Sequence, residues 1–478
     1  MKRHKLLLEI IVFFIVLILV IGKYYDAVRY KNLGNGGGME NFYNIDVPVD
    51  AIVYGSSHAA CTVNNGLLWE NYGIASYTLS AGNQTVDGIY YFMRETFKVN
   101  KPKIALVETY TLGLDSFELK PLYRTALTTK WSLYYPFYIL KHAHDLNYSR
   151  EFTEELLLRM PIVHSRYNEL DRADFINENF YNRGYQGSNE NTPISRPAYT
   201  DDRAEIPAIC QYYLDEMVKL CKKNGVQLVF FNAPYEASEE DVAMQNSILD
   251  FANANDIPYI GFIHNDDEYG INYDTDFREF SHLNDTGANK VTTALGEYME
   301  ENYDMTDRRD YAGYDDWNTH VDFLYDKQDK YRLYEQNTLP DYLNYLSSLK
   351  DKYTLIISLN GDYNALGEEA YSSNLLAFGI DEQSYLKGGT WLIQNGEITY
   401  YTEGESLYQF NTEFQNNADC NLYKTDEDEF GHVLINGYDC TRETNGISIQ
   451  AFDEHCLYFV DDIYVNVYDG LDVNHIDY

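Results

Sequence analysis

Ala51-Ile52-Val53-Tyr54-Gly55-Ser56-Ser57-His58 is a short apolar run that closes on glycine and serine. Such a run, bounded by turn formers, reads as a buried strand leading into a turn. Similar runs follow at Ile74–Leu79, Ile104–Glu108, Val226–Phe231 and Pro258–Phe262. Helical patterns lie between them, among them Thr85–Phe97 and Pro207–Lys223, and Lys222-Lys223-Asn224-Gly225 is a helix stop. Strands that alternate with helices imply an α/β domain with a parallel sheet covered on both faces. Ser57 follows the first strand, where a doubly wound sheet reverses its strand order and opens a ligand crevice.

Far along the same domain stands Phe277-Arg278-Glu279-Phe280-Ser281-His282-Leu283-Asn284. Serine, acid and histidine are the parts of a serine esterase. A serine hydroxyl attacks poorly until a histidine takes its proton, and the histidine needs a third group to fix its tautomer. Glu279 and His282 project to one side if they share a helical turn or a tight loop. The turn after the first strand exposes Ser57 and aims backbone N–H groups at a developing oxyanion. Two plainer readings stand beside this one. Ser57 serves equally as a helix N-cap after Gly55, and Glu279 with His282 equally as a solvated turn.

Three blocks together resemble the SGNH/GDSL hydrolase superfamily: Ile52 to Ala59, Leu79-Ser80-Ala81-Gly82-Asn83-Gln84, and Phe277 to Asn284. The likeness runs over about residues 46 to 303, and is nearest to the membrane-anchored bacterial branch that includes relatives of teichoic-acid D-alanylation and alginate O-acetylation proteins. It implies a three-layer, flavodoxin-like α/β hydrolase domain. It places Ser57 as nucleophile, His282 as base and Glu279 as the acid, where the family usually has aspartate. Ser56 stands where the family has its aspartate beside the nucleophile. The oxyanion hole would be built from Ser57, Gly82 and Asn83. The family's third block, Gly-x-Asn-Asp, has no counterpart. Val107-Glu108-Thr109-Tyr110 stands there instead, so Asn83 or Gln84 would have to replace its asparagine. The chemistry calls for no cofactor and no metal.

The chain has 478 residues, enough for about three domains. Its formal net charge is −39, from 36 Lys+Arg against 75 Asp+Glu. Nucleic acid and anionic headgroups need a basic surface, so neither suits the chain as a whole. Tyrosine is abundant, 47 against 23 Phe and 4 Trp, which reads first as a composition bias and second as a supply of sugar-stacking rings. The cysteines are Cys61, Cys210, Cys221, Cys420, Cys440 and Cys456. None forms a C-x-x-C pair, which argues against zinc. The last three cluster, so one disulfide among them leaves one thiol over.

Met1-Lys2-Arg3-His4-Lys5 precedes an apolar run from Leu6 to Ile21, interrupted by Glu9. That run is ~16 residues, short of the roughly 20 of a typical span. No small-residue pair follows that would suit signal cleavage. The expectation is an uncleaved single-pass anchor over 1–22, basic end inside and body outside the cell, followed by a linker over 23–45 with the spacer Asn35-Gly36-Gly37-Gly38. The hydrolase-like domain takes 46–305. Within it, 111–205 reads as an irregular, aromatic-rich insert, a lid or partner surface. His164-Ser165-Arg166-Tyr167 there offers a substrate-gripping cation or, more simply, a packed or surface pair. Residues 306–337 read as a linker or a mixed-charge helix.

From 338 to 478 a separate α+β unit is expected. Tyr353–Leu359 is a strand pattern, Leu366–Phe378 a helix stopped by Gly379, and Trp391–Ile398 a hairpin on Asn395-Gly396. Val433–Tyr438 and Gly446–Asp453 are further strands. This order resembles the ILEI/PANDER-like domain, which implies either carbohydrate binding or a spacer and docking role. Trp391, Tyr400, Tyr401 and Tyr408 are candidate sugar platforms, or core by their alternation.

Two functions fit these residues. One is an extracytoplasmic serine esterase or O-acyltransferase on cell-surface glycan, with a multi-span membrane acyltransferase as a further partner. The other is an inert hydrolase fold that serves such a system as an assembly protein.

Overall fold

The computed structural model describes residues 2–30, 38–115, 118–170, 181–367, 374–404, 406–470 and 472–476. Asn35, Gly36 and Gly37 of the expected spacer lie outside them, as does 368–373 of the expected Leu366–Phe378 helix. The chain divides into two compact units, 1–318 and 319–478.

In the first unit, β1 (Ala51–Gly55), β2 (Ser76–Ser80), β3 (Ile104–Glu108), β4 (Gln227–Asn232) and β5 (Tyr259–Gly261) form one parallel sheet in the order β2-β1-β3-β4-β5. This is a doubly wound order that reverses between β1 and β3. The runs of Ile, Val and Leu are buried along both strand faces, as a sheet covered on both sides requires. The Val86–Val99 helix packs on Ala208–Asn224, and Asn65–Tyr72 packs on Asp285–Asn302. Right-handed crossovers put these pairs on opposite faces of the sheet. A two-residue turn joins β6 (Phe277–Glu279) to β7 (His282–Leu283), antiparallel and apart from the main sheet.

A 27-residue helix, Lys2–Val28, opens the chain. It is long and apolar enough to cross a membrane. Ile10 to Ile21 are exposed throughout. The helix runs on into the stretch expected as linker, because its last turn has a partner: Val28 is buried with Leu127 and Val163. Further along, Met39 and Phe42 are buried as well.

The insert differs from the irregular segment expected. Its described residues form helices Leu119–Thr128, Tyr135–Asp145, Arg150–Leu158 and Met160–Val163 and a 3-10 turn, His164–Asn168. Aromatic residues are indifferent helix formers. Here Tyr135, Tyr138 and Ile139 share a face at helical spacing and bury it against Tyr91, Leu122 and Leu156. Tertiary packing therefore overrides propensity. In 306–337 the mixed-charge helix is the alternative found: Asp315–Tyr334 is helical, and the division at 318/319 falls within it.

The second unit holds a six-stranded antiparallel sheet, made of β8 (Thr354–Asn360), β9 (Gly389–Gln394), β10 (Glu397–Thr402), β15 (Gly446–Asp453), β16 (Tyr458–Asn466) and β17 (Asn474–His475), in the order β10-β9-β8-β15-β16-β17. A second sheet runs β11 (Tyr408–Glu413), β12 (Asp419–Lys424), β13 (His432–Ile435), β14 (Tyr438–Asp439). Successive side chains point to opposite faces. Leu355, Ile357 and Leu359 join the core under the Leu339–Ser347 helix, while Ile356 and Leu392 join Cys420, Leu422 and Val433 of the second sheet. Two Asn-Gly turns close hairpins, at Asn395-Gly396 and at Asn436-Gly437, all four residues at positive φ. The second of these splits Val433–Tyr438, expected as one strand, into β13 and β14. All six cysteines are buried and unbridged, so Cys420, Cys440 and Cys456 form no disulfide. Burial pushes the Cys420 thiol up to about 12.

Candidate active site

Gly55 ends β1 where no other residue fits: a Cβ there would lie 2.8 Å from both Ala59 Cβ and Glu108 Cβ. Ser56, not Ser57, caps the helix that follows. Its Oγ accepts from His58 N at 3.2 Å. Ser57 is thereby the first helical residue. Its N–H lacks an intrahelical acceptor, and its hydroxyl stays half-buried at the carboxyl edge of the sheet.

The β6–β7 hairpin sets the other two residues. Glu279 and His282 face each other across it as a direct pair. A two-residue hairpin thus does what the spacing of three required, in place of a helical turn. Glu279 Oε1 accepts from His282 Nδ1, and Oε2 accepts from Ser281 N at 3.1 Å. His282 Nε2 lies 2.7 Å from Ser57 Oγ. Glu236 N donates to Phe280 O at 2.9 Å, tying the hairpin tip to the loop after β4. Burial lowers the His282 imidazole below its usual value, Glu279 opposes this, and Arg278 adds to it.

Gly82 and Asn83 follow β2, the strand beside β1, so their loop reaches the same edge as Ser57. Neither N–H makes a hydrogen bond among the described residues. Their neighbours are committed to the insert. Asn83 Nδ2 donates to Glu118 Oε1 at 3.2 Å, and Gln84 Nε2 donates to Thr125 Oγ1 at 2.9 Å. The side-chain amides expected to replace the missing asparagine thus have partners elsewhere.

Four more residues build this edge, and the sequence reading gave none of them a site role. Glu108 is fully buried at the end of β3. It accepts from Tyr110 N at 2.8 Å and from Ser56 Oγ at 3.4 Å, and burial pushes its carboxyl up to about 7. An acid closing the apolar run Ile104-Ala105-Leu106-Val107 was the available signal. His58 stacks on Tyr110 with ring centroids 4.1 Å apart and stands 5.1 Å from His282. Burial, then the nearby His282, holds His58 well below its usual value. Arg124 lies against Gly82, so that a methyl group there would come within 3.4 Å of its guanidinium. No acid pairs with it among the described residues, and nothing local in the sequence announced it. A cavity of about 140 Å³ opens among Asn83, Gln84, Thr85, Tyr110, Thr111 and Leu114, on the loops after β2 and β3.

The expected sugar platforms fall elsewhere. Trp391 is 1% exposed, in the core of the second unit, with Tyr401 stacked on its face at 4.8 Å. Tyr400 stacks on Phe410 at 3.9 Å. Their alternation reads as core. A cavity of about 290 Å³ in that unit is walled by polar groups such as Gln394, Asn395, Thr399 and Glu454. Asp326, Asp453 and Cys456, all buried, bring ligand-type atoms within 4.8 Å of one another. Lys352 Nζ, 3.0 Å from Asp326 Oδ1, already supplies a positive charge there.

No family model matches the chain, and no curated protein is similar to it. Among solved structures, one from Bacteroides fragilis, described as a candidate acylhydrolase, aligns at a TM-score of 0.29 with 10% identity, over 55% of this chain and 94% of its own.

Proposed function

We propose that the first unit is an extracytoplasmic serine esterase or O-acyltransferase of the SGNH type, acting on acyl esters of cell-surface glycan. One observation carries the reading: His282 Nε2 is 2.7 Å from Ser57 Oγ while Nδ1 is held by Glu279. Ser57 Oγ attacks the acyl carbonyl and its proton passes to His282 Nε2. Charge on the carbonyl oxygen meets the N–H groups of Ser57, Gly82 and Asn83. The leaving alcohol takes the proton from His282, and acyl-Ser57 remains. Water or a sugar hydroxyl then gives its proton to His282 and takes the acyl group, and His282 passes that proton to the departing Ser57 Oγ. The cavity beside the 82–83 loop is the natural place for the ester. The N-terminal helix is the anchor that keeps this unit at the cell surface, where a multi-span acyltransferase would supply acyl groups. The second unit is an ILEI/PANDER-like accessory domain.

The test is a fluorophosphonate probe on the full chain. We expect one covalent adduct, at Ser57, lost in Ser57→Ala. A folded chain that takes no label would make the fold an inert assembly module instead.

A further inference from the structure

The helical insert carries apolar side chains on two sides. Inward, Tyr135, Tyr138 and Ile139 are core. Outward, Leu133 is 86% exposed, Phe137 69%, Leu158 68% and Trp131 61%, with Leu140 exposed as well. Leu133, Phe137 and Leu140 recur at i, i+4 and i+7, one side of the Tyr135–Asp145 helix and its lead-in. Water-soluble surfaces seldom gather large apolar residues in this way.

The insert is also what grips the N-terminal helix. Tyr24 Oη donates to His164 O at 2.7 Å. Arg166 Nη1 caps the helix end, donating to Val28 O at 2.7 Å and Arg29 O at 3.0 Å. Thus the Arg of the His164–Tyr167 motif holds the anchor, not a substrate. The grip continues to the exposed residues. Arg159, next to Leu158, donates from Nη1 to Thr129 O at 2.6 Å and lies over the Tyr135 ring at 3.7 Å. Trp131 follows two residues after Thr129. Charge agrees: residues 119–170 hold seven Lys and Arg against five Asp and Glu, in a chain of net charge −39. An anionic bilayer repels the rest of the body but not this segment.

We infer that this outward face of the insert, centred on Trp131, Leu133, Phe137, Leu140 and Leu158, rests in the interface of the bilayer that the N-terminal helix crosses. The inference rests on the anchor reading above. Tryptophan, leucine and phenylalanine flanked by Lys130 and Lys141 are the residues that suit the headgroup boundary. The contact fixes the body's orientation as well as its tether. The Leu119–Thr128 helix, ~15 Å long, has Leu127 packed beside the anchor's Val28 and Arg124 against Gly82. One short helix thus joins the anchor to the candidate oxyanion loop, which suits esters presented at the membrane surface.

The tryptophans allow a direct test. Trp69, Trp317 and Trp391 are each 1% exposed, and the N-terminal helix has none, so Trp131 alone meets its surroundings. The full chain is reconstituted in phosphatidylcholine vesicles with brominated acyl chains and its tryptophan emission measured. Brominated lipid should quench the Trp131 emission, iodide in the water should not, and Trp131→Phe should abolish the lipid quenching. Leu133→Ser with Phe137→Ser, both at exposed positions, should weaken it in a folded chain. A chain that floats with the vesicles but shows Trp131 open to iodide and untouched by brominated lipid overturns the inference and leaves this face for a protein. A chain that does not float overturns the anchor reading, and this inference with it.

Discussion

In the parallel sheet of the first unit every strand ends at the same edge, whereas in the antiparallel sheet of the second, neighbouring strands end at opposite edges. The consequence is chemical. At the shared edge, β1 delivers Ser57, β2 delivers Gly82 and Asn83, and β3 delivers Glu108 and Tyr110. Groups from distant parts of the chain are thus brought to one edge. The antiparallel sheet has no such edge. Both its faces are covered, by the Leu339–Ser347 helix and by the second sheet, and its aromatic faces are used by one another. An aromatic on a strand is a platform only where one sheet face is left open.

If the shared edge is the catalytic one, Ser57→Ala and His282→Ala in the first unit should lower ester turnover by several orders of magnitude, about as far as removing the whole set. Melting temperature should barely change, since Ser57 is half-buried and makes one side-chain bond, to His282. Turnover that survives either substitution breaks the contrast between the two sheets.

Glu279 sharpens it. Glu279→Gln offers His282 Nδ1 the wrong partner and should cost up to about 10⁴-fold in turnover. Glu279→Asp should retain much more, since the hairpin pairing that presents residue 279 to His282 is set by backbone. The pH profile gives a second readout. His282 is lowered by burial and raised by Glu279. The base works neutral, so activity should fall on the acid side, below the ordinary histidine value of 6.5. Loss of the Glu279 charge should move that acid limb lower still.

Trp391→Ala probes the other sheet. Emptying a buried tryptophan site costs about 3–5 kcal/mol. We expect that loss in urea unfolding of the second unit, with turnover of a small soluble ester unchanged. A variant that keeps full stability but loses binding to glycan fragments would restore Trp391 as a platform.

Much of the first sheet was legible because its strands are short apolar runs, most of them closed by Gly, Ser or Asn. Helix stops such as Asn224-Gly225 punctuate them. That Ser57, Glu279 and His282 come together was legible because each lies in a local pattern. Arg124 and the aromatic face around Trp131 were not. Their positions depend on helices in 119–168 whose aromatic residues favour no single local structure and which fold by packing on Tyr91 and the N-terminal helix. The cap at Ser56 was missed by one residue, since Ser56 and Ser57 are equal as capping types and the choice is made by the His58 N–H.

Glu108, fully buried at the end of β3, gives the smallest effect. Burial pushes its carboxyl up from the ordinary 4.5 to about 7, so it binds its proton more tightly folded than unfolded. The stability this contributes is fully present below pH 4.5 and is lost as pH rises to about 7, above which the folded protein holds a buried charge against Ser56 and Tyr110. The change across that window is on the order of 3 kcal/mol. Glu108→Gln stays neutral, its Oε1 still accepting from Tyr110 N and its amide donating toward Ser56 Oγ. Its stability should therefore gain on the unsubstituted chain as pH rises from 4.5 to 7.5, and hold level with it beyond. Urea midpoints taken across that range decide the matter. Parallel curves would mean that Glu108 is ionised throughout, stabilised by the Ser56 and Tyr110 bonds more than burial opposes it. The turn that presents Ser57 would then rest on a charge and not on a proton.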